Sequence, residues 1–175
     1  MEDYPESISV RSSEDLHNAL PRTFQDAVKD LEGVNIYDQT GNGVDEVFSL
    51  RGFNRGSDAA FLVDGVRVNE VDGFDAVLPL IRMDNVDSVE IARGSSSASY
   101  GSGAFSGVVN IKTRQPSKKP FTFFGGTDVS SFHGIHFYDG VSGTIQDKLT
   151  PLRGGLGYYF NMGHEQNKGF RSNGD

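Results

Sequence analysis

Between Arg93 and Lys112 the chain carries no charge, and most of its side chains there are small: Gly94-Ser-Ser-Ser-Ala-Ser-Tyr-Gly-Ser-Gly-Ala-Phe-Ser-Gly-Val-Val-Asn-Ile111. The wider stretch 86–113 reads as a strand, a glycine and serine turn, a short helical turn, a second glycine-rich turn and another strand. Such a run can pack closely against another surface, because little side chain stands in the way. With 22 glycines and 13 phenylalanines in 175 residues, the chain is suited to tight turns and short strands rather than long helices. The spacing Gly101-x-Gly103-x-x-x-Gly107 is one residue too long for a dinucleotide fingerprint, and a strand follows it where a helix is needed. Turn formation accounts for these glycines better than phosphate binding does.

The remainder of the first two-thirds alternates short helices and strands. Residues 7–11 alternate as a strand. Ser12 and Asp15 fit a capping pair, with Leu16, Ala19 and Leu20 expected on one helical face. Thr23 with Asp26 caps a second helix, in which Phe24, Ala27, Val28 and Leu31 follow i, i+3, i+4, i+7. Gly33 stands where a left-handed cap is wanted, so the spacing predicts a half-buried helix of about ten residues. Strands are expected over 34–37, 47–51, 60–64, 66–69, 88–92 and 108–113, with Asp64-Gly65 as a hairpin turn. Phe74, Val77, Leu78 and Ile81 have helical spacing, shortened or kinked by Pro79. The expected fold is a small mixed α+β domain over residues 1–116.

Residues 114–120, Arg-Gln-Pro-Ser-Lys-Lys-Pro, read as a domain-boundary linker. Beyond Pro120 the chain alternates with period two, and residues 117–175 are expected to form the second domain. Leu152, Gly154, Leu156, Tyr158, Phe160 and Met162 fall on one face, and Arg153, Gly155, Gly157, Tyr159, Asn161 and Gly163 on the other. Phe121, Phe123, Thr127 and Val129 suggest a related strand, and Ile135, Phe137 and Val141 another. A soluble sandwich alternates in the same way. The aromatic load and the strand length favour antiparallel strands of an incomplete transmembrane barrel, about three in number.

Several function classes find no support. A net charge of −8 argues against a nucleic-acid surface, and the absence of cysteine removes disulfides and thiolate metal sites. Residues 38–43 imitate an EF-hand loop, but Thr40 and Ser49 stand where carboxylates are needed. His133 and His136 point to opposite faces of a strand, and no nucleophile, base and orienter set is legible. We therefore expect no enzyme, no cofactor and no metal site. The acidic start Met1-Glu-Asp-Tyr-Pro5 lacks a signal-peptide core, and no apolar run reaches the roughly 20 residues of a spanning helix. The expectation is either a cytosolic protein or a mature or trimmed chain. Arg51 and Arg93 each end a strand and precede a glycine. One reading is a solvated strand-end arginine; the other is a buried guanidinium that binds carboxylates of another structural unit through its planar fork.

The order of short motifs resembles the TonB-dependent outer-membrane receptor family over nearly the whole chain. Pro5-Glu-Ser-Ile-Ser-Val10 and Glu14-Asp15-Leu16 resemble the opening of its plug domain, and residues 24–34 its second helix. Phe48-Ser-Leu-Arg-Gly-Phe53, residues 61–67, Leu78-Pro-Leu80 and the run 86–113 follow in the family's order. Residues after Pro120 resemble the first barrel strands, of about 22 in the family. The resemblance implies a gating plug in the bacterial outer membrane, contacting lipid through the barrel, with TonB and its inner-membrane energising complex as partner. It implies that Arg51 and Arg93 lock plug to barrel through glutamates on later strands. Three plug loops would meet the ligand, with Gln39 and Asn42, then Asn54, Arg55, Ser57 and Asp58, then Glu70, Asp72 and Phe74 as candidate contacts. Ferric siderophore is the expected ligand class, with haem, cobalamin or another metal chelate as alternatives. A plug-like binding module without transport is the rival expectation.

Overall fold

The computed structural model describes residues 7–38, 46–53, 58–69, 81–94, 104–130, 134–145 and 155–166. The chain divides into two units, Met1–Arg114 and Gln115–Asp175.

In the first unit, strand β1 (Ser7–Arg11) leads into helix α1 (Ser13–Ala19) and helix α2 (Phe24–Val28). Strands β2 (Val34–Asp38) and β3 (Glu46–Leu50) form a two-stranded antiparallel sheet. Strands β4 (Ala59–Val63), β5 (Val66–Arg67), β6 (Val86–Arg93) and β7 (Gly107–Thr113) join β1 in a five-stranded sheet of order β1-β6-β7-β4-β5. Its pairs are antiparallel except β4 with β7, which run parallel. The mixed sheet with few short helices is the fold the sequence implied.

Local chemistry explains most of the elements. The Ser12 hydroxyl accepts the Asp15 backbone N–H at 3.2 Å while the Asp15 carboxylate accepts the Ser12 N–H at 2.9 Å, a reciprocal cap on α1. The Thr23 hydroxyl does the same for the Asp26 N–H at 3.1 Å. Asp64 and Gly65 take φ of 50° and 81°, the left-handed pair that a two-residue hairpin between β4 and β5 requires. The Asp64 carboxylate also accepts the Thr113 N–H and hydroxyl at 2.9 and 2.6 Å, tying the turn to the end of β7.

Two helical expectations need correction. Helix α2 has five residues rather than about ten. After Val28 the chain tightens, with the Leu31 N–H on the Val28 carbonyl and the Val34 N–H on the Leu31 carbonyl, so residues 29–33 make turns. In α1 only Leu16 is buried; Ala19 is exposed, and Leu20 is an exposed left-handed C-cap at φ 46°. The helical spacing expected around Phe74 lies outside the described residues, although Ile81 packs against the core.

The core occupies one face of the five-stranded sheet. Phe61, Val89, Ile91, Val109 and Ile111 pack there with Phe24 and Val28 of α2 and Phe48 and Leu50 of β3. On the opposite face Ala60, Leu62, Ala104 and Val108 make a smaller buried cluster.

The second unit is an open antiparallel sheet of order β10-β9-β8, formed by β8 (Thr122–Ser130), β9 (Gly134–Ile145) and β10 (Leu156–Gln166). One face is exposed and mainly apolar: Phe123 is 76% and Val129 79% exposed, and Phe137, Val141, Leu156, Phe160 and Met162 share that face by register, together with Thr127, Asp139 and His164. The other face carries Thr122, Phe124, Asp128, His136, Tyr138, Ser142, Thr144 and Asn161. The sequence before β8 is docked rather than loose. The Ser117 N–H donates to Ser142 Oγ at 2.7 Å, Thr144 Oγ1 to the Ser117 carbonyl at 2.8 Å and the Tyr158 hydroxyl to the Pro120 carbonyl at 2.8 Å.

Candidate functional site

The two strand-end arginines converge on one turn. A Cβ placed on Gly33 would stand 3.5 Å from Arg93 Nε and 3.6 Å from Arg51 Cγ. The turn holds both: Arg93 Nε–H donates to the Glu32 carbonyl at 2.7 Å, and the Arg51 backbone N–H donates to the Gly33 carbonyl at 2.7 Å. Gly33 itself sits at φ 74°, a left-handed conformation that suits glycine.

Their environments differ sharply. Arg93 ends β6 and is only 5% exposed. Its Nη1 donates to Ser7 Oγ at 2.9 Å and its Nη2 to Ser9 Oγ at 2.7 Å. All three acceptors are neutral, and among the described residues no carboxylate pairs with it. Arg51 is exposed and follows β3 in a tight turn closed by Leu50 and Phe53, whose N–H and C=O groups exchange bonds of 3.0 Å. Arg51 and Gly52 take φ of 57° and 84°, the geometry of a type I′ turn, which is uncommon for a residue with a Cβ.

The same end of the sheet gathers several chain segments. Ser7 lies opposite Arg93, Arg93 opposite Gly107, and Ala59 opposite Gly107. Asp58 binds across this end through its carbonyl, which accepts the Ser106 N–H at 2.8 Å and the Ser106 hydroxyl at 2.9 Å. Asn69 caps the edge of β4, accepting the Phe61 N–H at 2.7 Å and donating to the Ala59 carbonyl at 2.9 Å. Asp58, Asn69, Gly94 and Ser106 are therefore neighbours in the fold. Of the proposed ligand contacts only Asp58 is described; Gln39, Asn42, Asn54, Arg55, Ser57, Glu70, Asp72 and Phe74 lie outside the described residues.

One feature of this end was missed from sequence. Phe53 and Phe105 are both exposed, yet their rings meet edge to face at 5.2 Å, a favoured aromatic geometry. The available signal was local: each phenylalanine sits within two residues of a positive-φ glycine, Gly52 or Gly107, where the chain departs from strand alternation.

Two carboxylates near β1 have lowered pKa values. Hydrogen bonds from the Ser12 backbone and hydroxyl hold Asp15 below its ordinary 3.8, and the bond from Arg11 does the same for Asp30. A depressed carboxylate stabilises the fold above its unfolded pKa, and that stabilisation is lost as pH falls through the lower folded value. Amide exchange of α1, taken relative to the intrinsic rate at each pH, should therefore rise on acidification below about pH 4. Ser12→Ala should raise it roughly fivefold already at neutral pH, the effect of a lost N-cap, and should flatten that acid dependence. Exchange by mass spectrometry at both pH values checks this, and an unchanged α1 in Ser12→Ala would count against the cap.

Comparison with known proteins agrees with this geometry. The family model for the TonB-dependent Receptor Plug Domain matches residues 1–108. The vitamin B12 transporter BtuB of Vibrio vulnificus strain YJ016 is 35% identical over 129 residues, 71% of this chain and 21% of BtuB. The ferric yersiniabactin uptake receptor FyuA from Yersinia pestis is 30% identical with a TM-score of 0.65, covering 82% of this chain and 22% of FyuA. The siderophore receptor PiuA from Acinetobacter baumannii shares the fold, with a TM-score of 0.70 at 22% identity over 94% of this chain and 21% of PiuA. The chain thus spans about a fifth of the length of these relatives. A plug-domain match over more than half the chain, followed by open antiparallel strands, places it in one family: this chain belongs to the TonB-dependent receptors.

Proposed function

We propose that this chain is the gating plug and the first barrel strands of a transporter that imports a scarce nutrient across the bacterial outer membrane with energy relayed by TonB. The observation that carries the proposal is the family match across the plug sheet. The second unit supports a membrane setting: its strands have 9, 12 and 11 residues, close to the length that crosses a bilayer at a tilt, and one face is mainly apolar, interrupted by Thr127, Asp139 and His164. The names of the relatives support an iron siderophore or cobalamin as ligand class.

In this reading the loops carrying Gln39 and Asn42, Asn54 to Asp58, and Glu70 to Phe74 meet the ligand. Arg51 and Arg93 seat the plug by pairing with carboxylates on barrel strands beyond this chain. Arg93 suits that role because a buried guanidinium without a counter-charge is costly until an anion completes it. Ligand moves the plug only through a difference in affinity between its two states.

The test uses the full-length protein with cyanocobalamin and a ferric catecholate as probes. Binding of one probe, with uptake into cells that requires both TonB and the proton gradient, is the expected result. Binding without energised uptake would overturn import in favour of a plug-like binding module.

A further inference from the structure

Among the described residues, strand β1 lies at the edge of the plug sheet and pairs with β6 alone. It gives no side chain to the hydrophobic core formed by the described residues. Its Ile8 and Val10 face outward, 60% and 51% exposed, and the residues on its other face are Ser7, Ser9 and Arg11. Apolar burial therefore does not hold this strand. Backbone pairing and two arginine clasps do. At its C-terminal end Arg11 pairs with Asp30 and donates from Nε to the Ala27 carbonyl at 3.3 Å. At its N-terminal end the Arg93 fork takes both serine hydroxyls.

We propose that β1 is a releasable latch on Arg93, with Ser7 and Ser9 as positioning residues that hold the guanidinium in place. A guanidinium has five N–H donors. Among the described residues three are engaged, by Glu32, Ser7 and Ser9, and one donor on each terminal nitrogen remains for a further acceptor. The serines hold both terminal nitrogens, so they fix the direction of those two remaining donors. When β1 leaves the sheet edge, both hydroxyls go with it, and the fork keeps only its bond to the Glu32 carbonyl. The position of the N-terminal strand and the aim of Arg93 are thus one linked equilibrium, and the coupling works equally in both directions. An edge strand held by polar contacts belongs to the low-stability end of a fold, where local opening occurs without global unfolding. The latch stands on these contacts; its consequence for gating rests on the reading of Arg93 as a seat of the plug.

The test is amide exchange on the full-length protein in detergent micelles, without ligand. The pair Ser7→Ala with Ser9→Ala should speed exchange about tenfold across β1 and at the β6 amides that bond to it, and leave β7 and β4 within twofold. The pair Ser7→Thr with Ser9→Thr keeps the hydroxyls and should restore protection. Arg93→Lys, which keeps the charge and loses the fork, should open β1 to the same degree, and adding the two alanines to it should have no further effect. Unchanged β1 exchange in the alanine pair, an equal rise across all strands, or additive effects with Arg93→Lys would each overturn the latch. If Arg93→Lys does not fold, the alanine and threonine pairs decide alone. Neither substrate nor TonB enters the measurement, so the latch can stand where import fails, and energised uptake can stand where the latch fails.

Discussion

Gly107→Ala should destabilise the plug unit by about 3–5 kcal/mol, the sum of backbone strain and overpacking. Gly107 opens β7 at φ 151°, a conformation that residues with a Cβ rarely adopt. An added Cβ would overlap the Ala92 carbonyl oxygen and stand 2.8 Å from Leu50 Cδ2. Neither neighbour can retreat cheaply. Ala92 is fixed by the pairing of β6 with β7, and Leu50 is fully buried in the core. Gly65→Ala is the control: at φ 81° with nothing within 4 Å of the added Cβ, it should cost only about 1 kcal/mol of backbone strain. Urea unfolding of both variants checks this, and equal losses would mean that close approach at Gly107 is not what its glycine serves. The uncharged run from Arg93 to Lys112 therefore contains at least one glycine required by packing against a neighbouring strand rather than by a turn.

What could be read from sequence was local. The caps at Ser12 and Thr23, the Asp64-Gly65 hairpin and the strands depend on residues a few places apart, and all are present. The strand expected over 66–69 shortens to Val66–Arg67, and Arg51 and Asp64 fall in turns. Contacts between distant residues decided the rest. The predicted extension of α2 through Leu31 competes with two long-range bonds, from Arg93 to the Glu32 carbonyl and from Arg51 to the Gly33 carbonyl. Both bonds need a turn there, and the helix stops at Val28. The parallel pairing of β4 with β7 joins segments far apart in the chain, and no local pattern announces it. Arg51 and Arg93 show the limit most directly. Both precede glycine at a strand end, yet one is exposed in a type I′ turn and the other is buried beneath β1. The difference lies in which strand happens to lie alongside.

Phe61→Ala should cost about 3–5 kcal/mol, typical of emptying a large buried aromatic site. Phe61 on β4 is buried, and its ring meets Phe48 of β3 edge to face at 5.2 Å and Phe24 of α2 at 6.2 Å, while Phe24 and Phe48 lie 6.0 Å apart. These three rings join elements that share no backbone ladder: the five-stranded sheet, the two-stranded sheet and α2. Removing the central ring should therefore loosen the β2–β3 sheet and α2 together. Phe24→Ala combined with it should cost less than the sum, because the two share one cavity. Denaturant unfolding of the single and double variants measures this, and strict additivity would argue against a common cluster. The contrast with β1 carries the mechanical sense of the fold. The aromatic cluster contains no residue of that strand, so the plug can lose its edge strand while the rings still hold the remaining elements together. Phe61→Ala removes that separation, and exchange at β2 and β3 should then rise to approach that of β1.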